Sequence, residues 1–179
     1  MTPEIIKYCI SKGKVFLTKK QKFDHYIVPK LLLSIPIMFG LVSVIKFIQN
    51  HREFDKSLIL WTLGGVVQCW LFFNLQNSRL KLKKIPKNLD NDKLKDIIQR
   101  TVHTQEWETY LNKENYFVAK THPTPLSGSW GEQITIIWDN HNIYINSICD
   151  PDKRSSIVSM GRNKKHIKSF ITQLNKASS

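Results

Sequence analysis

Residues 31–77 decide how this chain is organised; they read LLLSIPIMFGLVSVI, then KFIQNHREFDK, then SLILWTLGGVVQCWLFFNLQN. Two long apolar runs flank a short polar bridge. A helix rises about 1.5 Å per residue, so roughly 20 residues cross a hydrocarbon core of about 30 Å. The second run, 57–77, contains no charged residue and is long enough for a complete membrane span.

The first run needs its flanks to reach the same length. Its uncharged part, 31–45, is bounded by Lys30 and Lys46. Lysines near the ends of a span can extend their ammonium groups to the lipid headgroups. We therefore predict a transmembrane helical hairpin over 27–77, with spans at about 27–48 and 57–77.

Two other interpretations of the apolar runs fit less well. A buried hairpin in a soluble protein would show a polar face on each helix, and neither run has one. A cleaved signal peptide would begin near the N-terminus and end in a small-residue cleavage pattern. Here the first run begins about thirty residues in and is followed by the second.

Basic residues gather at the two outer ends of the hairpin, whereas its bridge is balanced in charge. Those before the first run are Lys7, Lys12, Lys14, Lys19, Lys20, Lys22 and Lys30; those after the second are Arg79, Lys81, Lys83, Lys84 and Lys87. Short cytoplasmic segments of membrane proteins carry such an excess of Lys and Arg. We predict a bacterial inner-membrane protein with both termini cytoplasmic.

The formal net charge of +13 has two possible interpretations. The first is that the basic residues contact the anionic phospholipids of the inner leaflet. Nucleic-acid binding would require a recognition motif that the chain lacks, so we predict no nucleic-acid partner. The three cysteines are far apart, which argues against a disulfide framework or a zinc site, and we predict no metal and no cofactor.

The segments next to the hairpin are both basic. In 1–26, Ile5, Ile6, Cys9 and Ile10 follow helical spacing. This amphipathic segment either lies on the membrane surface or packs on the C-terminal domain, and the sequence leaves both open. We interpret 78–88 as a juxtamembrane linker. Its candidate contacts with anionic lipid or a partner are Lys81, Lys83 and Lys84.

The remaining residues, 89–179, predict a cytoplasmic α+β domain. Helically spaced apolar residues predict one helix to about residue 105 and another from about residue 163. Between them, alternating and β-branched stretches predict four strands, at 107–111, 116–121, 132–138 and 143–149. We therefore expect an antiparallel four-stranded sheet with helices before and after it, packed on one face.

Two groups of residues are candidate binding sites. Arg162, Lys164 and Lys165 open the last helix, where positive charge suits an anionic headgroup or an acidic partner; the alternative is a solvated helix start. Gly64, Gly65 and Gln68 lie in the second span and are candidates for helix–helix contact. Gln68 needs a hydrogen-bond partner in lipid. Ser34 and Ser43 of the first span are candidates within the chain, and a second protomer is the other.

No catalytic residues are predicted. Cys149 is followed by Asp150, and a neighbouring acid raises the pKa of a thiol, which disfavours an activated nucleophile. The histidines His103, His122, His141 and His166 are dispersed in the sequence.

Residues 135–170, TIIWDNHNIYINSICDPDKRSSIVSMGRNKKHIKSF, resemble the C-terminal tail of a group of small uncharacterised bacterial two-pass membrane proteins. The hairpin-then-domain layout is similar as well. A looser likeness is to bacterial pleckstrin-homology-like membrane proteins, from which this chain departs because a helix precedes its strands. Neither resemblance implies an activity or site residues.

These observations predict a membrane-anchored, non-catalytic interaction or accessory module of the bacterial inner membrane. Its predicted partners are the anionic phospholipid membrane and either a protein partner or a second copy of the chain. The alternative is a subunit of a membrane enzyme or of an oligomeric transport complex. Two spans without internal charge could form a transport pathway only as an oligomer.

Overall fold

The computed structural model describes residues 3–49, 56–123, 128–153 and 159–178, so most of the predicted bridge lies outside the described residues. The elements, in chain order, are α1 (Pro3–Lys12), α2 (Lys19–His25), α3 (Ile27–Gln49), α4 (Lys56–Arg79), β1 (Lys83–Pro86), α5 (Asn91–Thr104), β2 (Glu108–Lys113), β3 (Tyr116–Lys120), β4 (Glu132–Trp138), β5 (Asn142–Cys149) and α6 (Arg162–Ser178).

The two apolar runs form the long helices α3 and α4, which pack against each other as a hairpin. Both are long and apolar enough to cross a membrane. Their apolar side chains mostly face outwards: Ile48 is 74% exposed and Leu60 is 72% exposed. A helix from the core of a soluble protein would bury such residues. The prediction of two long apolar helices is confirmed.

Within the described residues the sheet has five strands in the order β1-β5-β4-β3-β2, and every neighbouring pair is antiparallel. The prediction of four strands was wrong. The additional strand, β1, comes from 78–88, which we interpreted as a linker. Lys83 and Lys84 give β1 a polar appearance, and Pro86 ends it, as is common for edge strands. Its partner β5 is distant in sequence, so no local sequence pattern predicts the pairing of the two strands.

Helices α5 and α6 cover one face of the sheet, as predicted. Leu94 and Ile98 of α5 and Phe170 of α6 pack there against residues such as Ile134 and Ile136 of β4. Burial of these amphipathic stripes supplies the main core of the domain.

Helix α1 covers the opposite face. Cys9 is fully buried and packs with Tyr116, Val118, Ile137 and Tyr144. Of the two alternatives for the N-terminal segment, the structure therefore has it packed on the C-terminal domain. Because both faces are covered, all seven residues of β4 are buried.

Candidate functional site

The end of α4 is bonded directly to the sheet. Asn146 of β5 donates its side-chain amide to the carbonyl oxygens of Arg79, at 2.8 Å, and Lys81, at 2.7 Å. Asn77, near the end of α4, accepts a hydrogen bond from the Lys14 ammonium at 2.9 Å. The hairpin thus continues into the domain through bonded residues, at the end of the sheet where β5 finishes and β4 begins. We call this the hairpin-side end.

The N-terminal segment strengthens the same junction. The amide of Val15 donates to the carbonyl of Leu80 at 2.9 Å, and the amide of Leu82 donates to the carbonyl of Gly13 at 2.8 Å. The imidazole of His25, at the end of α2, lies 3.0 Å from the carbonyl oxygen of Gln76. Residues before and after the hairpin therefore meet at one place.

The structure brings most of the predicted basic contacts to the hairpin-side end. Helix α6 begins there because the Ser147 hydroxyl on β5 donates to Asn163 at 3.0 Å. Helix α2 lies there because Gln21 donates to Asp152 at 2.7 Å. We call the exposed lysines of these segments the basic collar: Lys19, Lys20, Lys22, Lys81, Lys164 and Lys165. Lys83 and Lys84 are also exposed but lead away from this end along β1.

Arg162 differs from its basic neighbours. Its guanidinium lies 3.1 Å from a carboxylate oxygen of Glu132, whose side chain is fully buried, and it donates to the carbonyl of His122 at 3.3 Å. Of the three basic residues predicted at the start of α6, Lys164 and Lys165 are exposed, whereas Arg162 is half-buried and bound within the domain.

Glu132 is the centre of a buried polar cluster. The hydroxyls of Thr121 and Ser129 each donate to its carboxylate at 2.5 Å. The imidazole of His166 lies 3.6 Å away, beyond normal hydrogen-bond distance. Burial by itself would raise the pKa of Glu132, but His166, the two hydroxyls and the charge of Arg162 outweigh it and lower that pKa. The cluster therefore holds a stable carboxylate.

The arrangement of this cluster is that of a structural anchor. The Ser129 hydroxyl donates to Glu132, and the Nδ1 atom of His166 accepts a hydrogen bond from the Trp107 indole at 3.1 Å. Nucleophilic catalysis requires a hydroxyl bonded to a base that can take up its proton. Ser129 is bonded to the carboxylate of Glu132, whose lowered pKa makes it a weak base. The cluster ties the start of α6 to β4 and to the segment before it.

A second charged cluster fastens α2. The Lys120 ammonium lies 2.7 Å from Asp152 and 3.1 Å from the fully buried side chain of Asp150. Burial would lower the pKa of Lys120, but the two carboxylates outweigh it and raise that pKa. The Asp150 carboxylate also accepts from the amide of Asp152 at 3.0 Å and so shapes the turn. Within the described residues no group of His, Cys, Asp and Glu could hold a metal ion.

Of the three residues predicted to make helix–helix contacts, one faces α3 and two face away from it. Gly65 faces α3, and a Cβ atom there would lie 2.9 Å from the Cβ of Pro36. At Gly64, apart from its chain neighbours and the nearby backbone of α4, no atom of the described residues lies within 4 Å of that position. Gln68 is exposed, and in the described part of the chain its side-chain amide makes no hydrogen bond to Ser34, Ser43 or any other residue.

The partners of Arg162 were not predicted. Thr121, Ser129, Glu132 and His166 are separated in sequence and follow no motif, so their convergence depends on the strand order. A groove of about 460 Å³ between α1–α2 and strands β2–β4, beside Tyr110, was not predicted either. At Tyr110 the β2–β3 register is irregular, and its ring lies over the Lys120 ammonium, 4.4 Å from it.

The chain matches no protein-family model and no curated protein.

Proposed function

We propose that this chain is a two-pass protein of the bacterial inner membrane, with both termini in the cytoplasm. Its α+β domain acts as a non-catalytic interaction or accessory module held against the inner leaflet. The observation that carries the proposal is the basic collar, because its lysines lie on segments at the end of the sheet where α4 joins the domain.

The geometry of the junction supports contact with lipid headgroups. Helix α2 is bonded to the turn after β5, and α4 is bonded to β5 itself. Both bonds lie near the ends of the apolar helices, so the hairpin-side end faces the surface from which the hairpin emerges. An anionic surface attracts each nearby Lys or Arg by about 1 kcal/mol. Six exposed lysines in this position would press the domain onto an anionic leaflet and fix its orientation.

The proposed location is tested by fractionation and reporter fusions. The full-length protein should remain in the membrane fraction after carbonate extraction of bacterial cells. A fluorescent protein fused to the C-terminus should be active, whereas a periplasmic phosphatase fused there should be inactive. Recovery in the soluble fraction, or an active phosphatase fusion, would overturn the proposal.

Contact with anionic lipid is tested by hydrogen exchange on the full-length protein in nanodiscs. Phosphatidylglycerol should slow exchange in α2 and the first turn of α6, relative to phosphatidylcholine. The double variant Lys164→Gln/Lys165→Gln should lose much of this difference in α6. Lys93→Gln/Lys176→Gln is the matched control, because both lysines are exposed near the far ends of α5 and α6. Equal exchange in the two lipids would remove the lipid contact from the proposal.

A further inference from the structure

Gln68 is a polar residue on an apolar surface. It lies at the centre of α4, and its side chain is exposed. Its exposed neighbours are apolar, among them Trp61 (66%), Val67 (56%) and Leu71 (55%). No hydrogen bond satisfies its amide within the described residues. In a membrane-inserted hairpin, this amide would face hydrocarbon, where an unsatisfied polar group costs several kcal/mol.

None of the residues that the structure describes covers Gln68. Gly65 and the buried Cys69 mark the side of α4 that faces α3. The Ser34 hydroxyl, a candidate partner, instead donates to the carbonyl of Leu31 in its own helix at 2.7 Å. Gly64 lies one turn before Gln68, and in the described part of the chain no atom beyond the nearby backbone of α4 and its chain neighbours lies within 4 Å of its Cβ position. Gln68 therefore borders a part of α4 that another backbone can approach closely.

We propose that a second copy of this chain docks on α4, and that the two Gln68 amides hydrogen-bond to each other across a two-fold axis. A glutamine amide is both a donor and an acceptor, so it is complementary to its own copy. Lipid hydrocarbon chains have neither a hydrogen-bond donor nor an acceptor. Gly64 allows the close backbone approach that such helix pairs require. The inference rests on the proposed membrane insertion of the hairpin.

Helical geometry identifies the rest of the interface. At 3.6 residues per turn, Trp61, Gly64, Leu71 and Leu75 lie within about 60° of Gln68. Val66 and Phe73 lie on the other side of α4. The proposed dimer therefore buries the first set and leaves the second set outside the interface.

The first test measures dimerisation of the full-length protein in lipid bilayers by fluorescence energy transfer over a range of protein-to-lipid ratios. Gln68→Leu should weaken the dimer about tenfold, whereas Gln68→Asn should retain most of it. Leucine suits a lipid-facing position, so the variant should stay folded. Thr62→Val is the matched control, because the Thr62 hydroxyl is already bonded to the Leu58 carbonyl at 2.8 Å. A dimer unaffected by Gln68→Leu would overturn the inference.

The second test locates the interface by disulfide cross-linking in membranes, with the native cysteines replaced by alanine. Leu71→Cys should cross-link rapidly, and Val66→Cys should not. Cross-linking at Val66 alone would place the contact on another face and overturn the inference.

The outcomes separate this inference from the proposed function. A membrane-integrated protein that is monomeric at every ratio, or that co-purifies with a different membrane protein in place of its own copy, would overturn the dimer alone. Recovery of the protein in the soluble fraction would overturn both.

Discussion

The side-chain amide of Asn146 on β5 donates a hydrogen bond to the carbonyl oxygen of Arg79, the last residue of α4, at 2.8 Å. The same amide donates to Lys81, and Asn146 is only 3% exposed. A buried side chain of the sheet thus holds the chain as it leaves the hairpin. The domain is consequently attached to the end of α4 by side-chain hydrogen bonds as well as by the chain itself.

Replacing Asn146 with alanine should loosen this junction. Two carbonyl oxygens would lose their donor, which we expect to lower the free energy of unfolding by about 1–3 kcal/mol. Limited trypsinolysis of the full-length protein should then cleave faster between Arg79 and Lys84. Asn140→Ala, at an exposed turn of the far end, is the control and should leave cleavage unchanged. Equal cleavage of both variants would contradict the proposed role of Asn146.

Replacing Glu132 with glutamine should strongly destabilise the domain. The change removes the charge that Arg162 faces in a largely buried position, and breaking a buried ion pair costs about 3–5 kcal/mol. Urea unfolding followed by tryptophan fluorescence would report it, because Trp107 and Trp138 are buried. Glu108→Gln removes an exposed carboxylate and should change stability by no more than about 0.5 kcal/mol. A similar small effect at Glu132 would show that the cluster contributes little.

Acid should destabilise the domain through the same carboxylate. The folded-state pKa of Glu132 is lowered from its ordinary value of 4.5, so the unfolded chain binds the proton more tightly. The contribution of Glu132 to stability is present above about pH 4.5 and is lost as the pH falls towards the folded pKa. Urea midpoints measured between pH 7 and pH 3 should fall, and Glu132→Gln should flatten that fall. An unchanged slope in the variant would contradict the assignment.

Gly64 and Gly65 should tolerate alanine differently in the hairpin. A Cβ at Gly65 would press on the rigid ring of Pro36, so Gly65→Ala should separate α3 from α4 and cost about 1–3 kcal/mol. Gly64→Ala should not disturb the hairpin, since nothing lies near its Cβ position. Detergent-induced unfolding followed by circular dichroism would compare the two. Equal stability of the variants would show that α3 and α4 do not approach each other at Gly65.

Cys9 should resist thiol reagents in the folded protein. Its side chain is fully buried beneath α1, and burial raises the pKa of its thiol. Maleimide labelling of a variant that retains Cys9 alone should be slow until urea is added. Ser11→Cys, at an exposed position of the same helix, is the control and should label at once. Rapid labelling of Cys9 would mean that α1 is not held against the sheet.

Several features of the fold could be predicted because their signals are local. The absence of charge over 57–77 predicts a long apolar helix whatever the rest of the chain does. Helical periodicity located α5 and α6, and alternating or β-branched stretches bounded by turn residues located β2 to β5. Strand β1 was not predicted, for two reasons. Lys83 and Lys84 interrupt the apolar pattern of a strand, and the hydrogen-bonding partner of β1 is β5, which is far away in sequence.

The candidate site could be predicted only in part. Net charge and spacing singled out the lysines at the start of α6 and after α4. Their assembly into one basic collar depends on Ser147 and Asn146, whose hydrogen bonds are tertiary. The ion pair between Arg162 and Glu132 could not be predicted for the same reason, since no local sequence pattern links residues thirty positions apart.

Two helices suited to a membrane, basic flanks and an α+β domain could be predicted from the amino-acid sequence, because hydropathy and periodicity are properties of consecutive residues. Three outcomes became visible only in the folded chain: α1 covers the second face of the sheet, β1 completes the sheet, and Gly65 faces Pro36 whereas Gln68 faces outwards. Those outcomes depend on which surfaces pack together, and packing joins residues that the sequence keeps apart.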